Sequence, residues 1–279
     1  KSEAANPLNA GLLIVVISGV LLTSLLIHLI PIFFPILNPD PEVVELGQEY
    51  LLWRVMAITC VAMNYAFRGY WNAVNLSKIY MGTLICMHLL NIFLNYALIF
   101  GNFGFPELGV KGAAIGTSLS MLFGTFLYMI MAFRLASSNG FLKRWPRMRN
   151  ILNLLKVSLP ASTQQVFFSA GLTALFYIIG LIGTAETAAA HVLINIMLVC
   201  ILPGMGLGLG AASLVGQALG RKDKEDAFSW GMDVVKLALV FISGVGFLLV
   251  LFPEYILRIF LVDPITRNLA IAPLQFTGL

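Results

Sequence analysis

Seven long, predominantly apolar runs, near 9–37, 49–73, 79–101, 112–136, 152–182, 187–215 and 229–252, constrain this 279-residue chain more than any other feature. Each can cross a hydrocarbon core of ~30 Å, which takes about 20 helical residues. An eighth run begins near 268. Strands of a membrane barrel would be about ten residues long and alternate in polarity; these runs are too long and too uniformly apolar, so they read as helices. Composition agrees: 59% of residues are hydrophobic and 11% charged, where a soluble domain carries about 25% charged residues. The expected fold class is an all-α polytopic membrane protein with about seven complete spans.

The net charge of +4 does not point to nucleic acid, because the basic residues sit in short connections between apolar runs. The segment 134–156 carries Arg134, Lys143, Arg144, Arg147, Arg149 and Lys156 and no acid; 216–227 carries Arg221, Lys222 and Lys224; 66–78 carries Arg68 and Lys78. The intervening connections hold Asp40, Glu42, Glu45, Glu49, Glu107 with Lys111, the short Gly183–Glu186 turn and a mixed 253–267. Basic loops stay in the cytoplasm, which places the amino-terminal end there too. The chain starts at Lys1 without an initiator Met, and its first apolar run exceeds a signal-peptide core. It therefore reads as truncated. Cys60, Cys86 and Cys200 each lie in an apolar run and read as small buried hydrophobes.

A shift of 222 residues lays Glu3 and Ala5 on Glu225 and Ala227, and the Leu-Ile-Pro ending at Pro31 on the Leu-Phe-Pro ending at Pro253. One inserted residue later, Asp40-Pro41 matches Asp263-Pro264. An even number of spans separates the copies, so both cross the membrane in the same direction, as in a parallel repeat. The basic segment 134–156 is the natural joint, dividing the chain into lobes 1–140 and 141–279. Two spans follow the joint before the second copy. By symmetry two should precede the first copy, for twelve in the intact protein.

No phosphate-binding G-x-x-x-x-G-K-[ST] loop is present. Gly206-Leu-Gly-Leu-Gly-Ala211 lies inside a hydrophobic run, where small residues permit close helix packing or bending, and Pro203 favours a kink. Polar side chains within the spans carry more information, since each is costly in lipid unless it meets a cavity or a partner. Asn91 and Asn95 share one helix face; Thr117, Asn64 and Tyr50 lie on neighbouring runs. Such amides can hold an ion or water, or simply bridge helices. Gln164, Gln165 and the pair His191/Asn195 are further cavity candidates. Asp233 and Lys236 are spaced for a local ion pair. No span interior has an obvious carboxylate. Three scattered His without an intramembrane acid do not make a catalytic constellation, so neither an enzyme, a metal site nor an organic cofactor is expected.

The runs Arg68-Gly-Tyr70, Asn91-Ile-Phe-Leu-Asn95-Tyr-Ala-Leu-Ile-Phe-Gly101, Phe105-Pro-Glu-Leu-Gly109-Val-Lys-Gly-Ala-Ala114, Val157-Ser-Leu-Pro160, Thr187-Ala-Ala-Ala-His191 and Val215-Gly-Gln-Ala-Leu-Gly220, in this order and spacing, resemble the MATE (multidrug and toxic compound extrusion) family, in its DinF-like branch. The resemblance implies two six-helix lobes, with family helices three to six in 1–140 and seven to the start of ten in 141–279. It implies efflux of small organic, often cationic and amphipathic molecules by alternating access, coupled to H+ or Na+ entry. The setting would be a multi-pass protein, monomeric, in a bacterial inner membrane. By motif, Asn91 matches the fifth-helix Asn of the family's amino-lobe cation site, Thr117 the sixth-helix Thr, and Tyr50 the Tyr near the fourth helix. Asn95 stands where relatives carry Asp, and the first-helix Asp would fall on the missing spans. Phe168 replaces the seventh-helix Glu of another branch. A lipid-linked oligosaccharide flippase of the same superfamily is the alternative. Such flippases have a more cationic cavity, whereas Arg54 is the exception in span interiors with almost no Lys or Arg. A membrane-embedded enzyme is the rival of a different class.

Overall fold

A computed structural model describes residues 4–37, 40–143, 145–261 and 263–278. Glu3 of the repeat and Arg144 of the basic joint lie outside them. The described residues form ten α-helices and two short 3-10 turns, with no strand among them. Six helices are long and apolar enough to span a membrane, and a bent pair makes a seventh candidate. The chain is an all-α, multi-pass membrane protein. It forms two compact units, Lys1–Ser158 and Leu159–Leu279.

The first unit is built from α1 (Asn6–Leu37), α2 (Pro41–Met56), α3 (Ile58–Ala73), α4 (Ser77–Phe100) and α5 (Gly109–Leu135). The second span differs from the expected 49–73. It starts at Pro41, because Asp40 caps the helix by accepting from the Glu42 N–H at 3.0 Å and proline sits in its first turn. Glu42, Glu45 and Glu49 are therefore helical rather than in a loop. Apolarity marks where lipid contact begins, whereas the cap marks where the helix begins. The span then breaks at Ala57, and α2 and α3 meet at a 43° bend.

Contacts fix both ends of this unit. At the basic end the Ala5 N–H donates to the Asn139 carbonyl (3.1 Å) and Asn139 Nδ2 to the Tyr70 hydroxyl (3.3 Å), above a buried cluster containing Leu8, Phe67, Trp71, Tyr128 and Phe141. At the opposite end Lys111 pairs with Glu49 at 2.5 Å. Asn9, only 4% exposed, ties α1 to the segment after α5. Its Nδ2 donates to the Gly140 carbonyl (3.0 Å) and its Oδ1 accepts from the Leu142 N–H (3.1 Å). Asn9→Ala removes both bonds; losing a partner costs a buried polar group about 1–3 kcal/mol, so a net loss of about 2 kcal/mol is expected. Thermal unfolding of the purified protein checks this, and an unshifted midpoint would contradict the clamp.

α6 (Met148–Ile182) crosses from one unit into the other and has no fully buried residue. The second unit continues with α7 (Thr184–Gly220), α8 (Lys224–Leu251), α9 (Pro253–Phe260) and α10 (Pro264–Gly278). α10 packs on α7, α8 and α9 around Ile196, Leu249, Leu257, Ala270 and Leu274. The repeated Asp-Pro pairs play the same part in both units. Asp40 precedes Pro41 at the start of α2. Asp263 precedes Pro264 at the start of α10, accepting from the Thr266 N–H (2.9 Å) and hydroxyl (2.6 Å). These hydrogen bonds hold the Asp263 carboxyl below the usual carboxylate range. The stabilisation is therefore present above the unfolded-state value and is lost as pH falls through the lowered one.

The repeated prolines differ. Pro31 continues within α1, whereas Pro253 opens the separate helix α9, so the expected connection 253–267 holds a helix of its own. Asp233 and Lys236 pair at 3.7 Å. The Gly206–Gly216 stripe does not close on a neighbour: among the described residues nothing lies within 4 Å of a Cβ built at Gly206, Gly208, Gly210 or Gly216.

Candidate functional site

The seam between α4 and α5 assembles the polar residues of the first unit. Gly101 ends α4 in the left-handed region (φ 69°), where glycine carries no steric penalty. A side chain there would also press on the Glu107 backbone N at 3.1 Å. The chain turns back, the Leu108 N–H donates to the Leu98 carbonyl at 2.9 Å, and α5 returns antiparallel to α4. Gly112, Gly116, Ser120 and Gly124 recur every fourth residue and form the buried face of α5. Gly112 lies against the Leu98 carbonyl, Gly116 against Asn95 and Gly124 against Met87. Small residues let the two backbones approach this closely.

A chain of polar contacts runs across that seam. Asn95 Nδ2 donates to Asn91 Oδ1 (3.4 Å), Asn91 Nδ2 donates to Thr117 Oγ1 (3.3 Å), and the Thr117 hydroxyl donates to the Ala113 carbonyl (2.8 Å). All three side chains belong to half-buried residues. Asn95 Oδ1 is buried with no hydrogen-bond partner, an arrangement that costs about 1–3 kcal/mol. The three residues thus bring three neutral oxygen acceptors together, one unmet, between two apolar helices. Oxygen acceptors of this kind are the groups a hard cation or a water requires. The cluster lies in the helix seam and lines none of the three cavities described for this unit.

The other sequence candidates divide. Tyr50 is half-buried on α2, and among the described residues it makes no hydrogen bond to the cluster. Asn64 on α3 donates to the Met121 carbonyl (3.2 Å) and accepts from the Thr125 hydroxyl (2.9 Å), clamping α3 to α5. It also lines a cavity of about 230 Å³ between α3, α4 and α5. Gln164 and Gln165 are exposed on α6, His191 is exposed and stacks on Phe176 at 4.3 Å, and exposed Asn195 follows on α7. These four belong to the second unit and the α4–α5 cluster to the first. Among the described residues no group of three or more His, Cys, Asp or Glu side chains converges. Arg54 has a buried Nη1 without a hydrogen-bond partner.

The sequence reading missed Arg68, Tyr80 and His88, which line the 230 Å³ cavity with Asn64. The signal was present: Asn64, Tyr65 and Arg68, and likewise Tyr80, Leu84 and His88, recur at helical spacing on one face.

Comparison with known proteins identifies the family. The MatE family model matches residues 1–97 and 160–279. The sequence is 31% identical over 270 residues to a probable multidrug resistance protein NorM of Thermotoga maritima, covering 95% of this chain and 57% of that protein. The chain thus spans little more than half the length of that relative. Among solved structures, a MATE protein crystallised in a straight conformation aligns with a TM-score of 0.83 at 24% identity, over 97% of this chain and 60% of that one. A MOP superfamily transporter from Pyrococcus furiosus Vc1, described by the reverse polarity of its binding pocket, aligns with a TM-score of 0.85 at 23% identity, over 98% and 62%.

Proposed function

The chain belongs to the MatE family of transporters, and from that premise we propose that the protein exports organic, often cationic and amphipathic molecules across a bacterial inner membrane by H+- or Na+-coupled antiport. The observation that carries the reading is the Asn95–Asn91–Thr117 chain between two membrane helices, with one amide oxygen left without a donor. Buried polar groups in lipid are expensive and mark ion or substrate paths. Three neutral oxygens can contribute to holding Na+ or a hydronium, and a carboxylate would complete the charge balance. Asn95 occupies the place where the DinF-like branch carries Asp, so here the charge has to come from another helix of the intact protein. The neutral set makes this lobe less acidic than the branch pattern, with an expected heavier reliance on that remaining acid. A polar chain between helices can move the equilibrium between inward- and outward-facing states only if it binds the ion more tightly in one of them. The protein acts as a monomer in this reading, with the bilayer and a small molecule as its partners.

Cells lacking their own efflux pumps test the proposal. Expression of the protein should lower the steady accumulation of a cationic dye, and an ionophore that collapses both ion gradients should abolish the difference. Accumulation unaffected by expression would overturn drug export and favour the flippase alternative, for which Arg54 supplies the in-span cation.

A further inference from the structure

Arg68 stands apart from the site just described. It lies on α3, immediately before Gly69 and two residues from Tyr70 of the buried aromatic cluster, and its guanidinium is 6.0 Å from the Tyr65 ring centroid and 5.4 Å from that of Tyr80. Tyr80 in turn stacks on Tyr128 at 6.4 Å and 10°, and the Tyr128 hydroxyl donates to the Tyr80 carbonyl at 3.0 Å. The Tyr80 and Tyr128 rings therefore belong to a braced wall, whereas the Tyr65 ring is exposed. Aromatic contacts engage the faces of a guanidinium and leave its in-plane N–H donors available. Among the described residues none accepts a hydrogen bond from Arg68, and no carboxylate pairs with it.

Arg68 also lines the cavity of about 230 Å³ between α3, α4 and α5, whose lining includes no Asp or Glu. The cavity runs from Arg68 past Leu84 and Met87 to His88. The Asn64 amide at its side is already committed to Met121 and Thr125, so the open polar groups are the Arg68 cation at one end and the His88 imidazole at the other. The cavity sits in the half of unit 1 that carries the basic connections, the half assigned to the cytoplasmic leaflet by charge. A cation at the membrane surface with an apolar pocket reaching inward has the chemistry of a site for an anionic amphiphile. Basic pockets between membrane helices on this side bind anionic head groups.

We propose that this cavity is a binding site for an anionic phospholipid of the cytoplasmic leaflet. Its phosphodiester is held by the Arg68 N–H fork, and the start of one acyl chain lies along Leu84 and Met87. The planar fork matches two phosphate oxygens, and the braced Tyr80 ring orients it before the lipid arrives. The site is independent of the ion-coupling cluster on the α4–α5 seam and does not require that reading.

The test uses the purified protein, stripped of lipid in detergent and titrated with phosphatidylglycerol or with phosphatidylcholine of the same chains. Bound lipid is read by native mass spectrometry. Phosphatidylglycerol should be retained preferentially, and Arg68→Gln should cut its retention by roughly tenfold, as expected for loss of a charge-assisted hydrogen bond. Leu84→Trp, which fills the cavity and leaves Arg68 in place, should have a similar effect and decides the matter where Arg68→Gln does not fold. Lys222→Gln, an exposed basic residue elsewhere, should leave retention unchanged. Equal retention of the two lipids, or wild-type retention of phosphatidylglycerol in either cavity variant, would overturn the proposal. Displacement of the lipid by millimolar inorganic phosphate would overturn it too, by marking a site for a free anion.

Discussion

Gly112→Ala should destabilise the protein by about 3 kcal/mol, while Gly124→Ala should cost less than about 1 kcal/mol. Both glycines face α4 from the same stripe of α5, and both replacements add one methyl group. They differ in what that methyl meets. At Gly112 it runs into the Leu98 carbonyl and the Ile99 backbone N, which are backbone atoms of α4 and can yield only if the helices separate. At Gly124 the nearest atom is the Met87 sulfur, the end of a flexible side chain that can rotate away. Alanine also gains about 1 kcal/mol of helix propensity over glycine, which offsets the smaller clash and not the larger. Gly116→Ala belongs between them in packing terms, since its methyl would displace the Asn95 amide oxygen, and it should disturb the polar chain as well. Thermal unfolding in detergent gives the ranking. Equal losses at Gly112 and Gly124 would contradict a seam set by backbone contact.

The second large effect is on transport. Asn91→Leu should reduce export per folded molecule by roughly tenfold or more, the scale of losing a differential interaction of more than about 1.4 kcal/mol, with a smaller loss in the amount of folded protein. Asn91 is the middle of the chain: it donates to Thr117 and accepts from Asn95. Leucine removes both links and strands the Asn95 amide donors, while Thr117 keeps its bond to the Ala113 carbonyl. Asn64→Leu is the control. It breaks the α3–α5 clamp to Met121 and Thr125, so it should lower folded protein and leave export per folded molecule close to wild type. Export and folded protein falling in the same proportion in Asn91→Leu would assign that residue to packing alone.

The fold was legible because lipid leaves few choices. Backbone groups must be satisfied within the segment, so a long apolar run is a helix, and the spans follow from hydropathy directly. The boundaries were less legible, for a local reason at each place. At α2 the capping Asp40-Pro41 sits outside the apolar run, so the helix starts eight residues before the expected span. At α9 a proline that α1 absorbs becomes a helix start, and nothing in the Leu-Phe-Pro and Leu-Ile-Pro triplets separates the two outcomes. Asn91, Asn95 and Thr117 could be grouped in advance because Asn91 and Asn95 are one helical turn apart and the motif supplies the third. The Asn9 clamp joins residues distant in sequence, and no spacing rule reaches across 131 positions from Asn9 to Gly140; the faces of the Arg68 cavity are spaced helically within α3 and α4, and only the fold brings them together. The Gly206–Gly216 stripe shows the converse: a packing pattern plain in the sequence that meets no partner among the described residues.

An ion gradient, not a nucleotide, is expected to drive export by the intact protein, and transport in sealed vesicles reconstituted with it tests this most directly. Uptake of a cationic dye is followed while a proton gradient, a sodium gradient or ATP is applied separately. Uptake is expected under one of the two gradients, sharply reduced by Asn91→Leu and indifferent to ATP. Uptake that ignores both gradients and follows added ATP would contradict it.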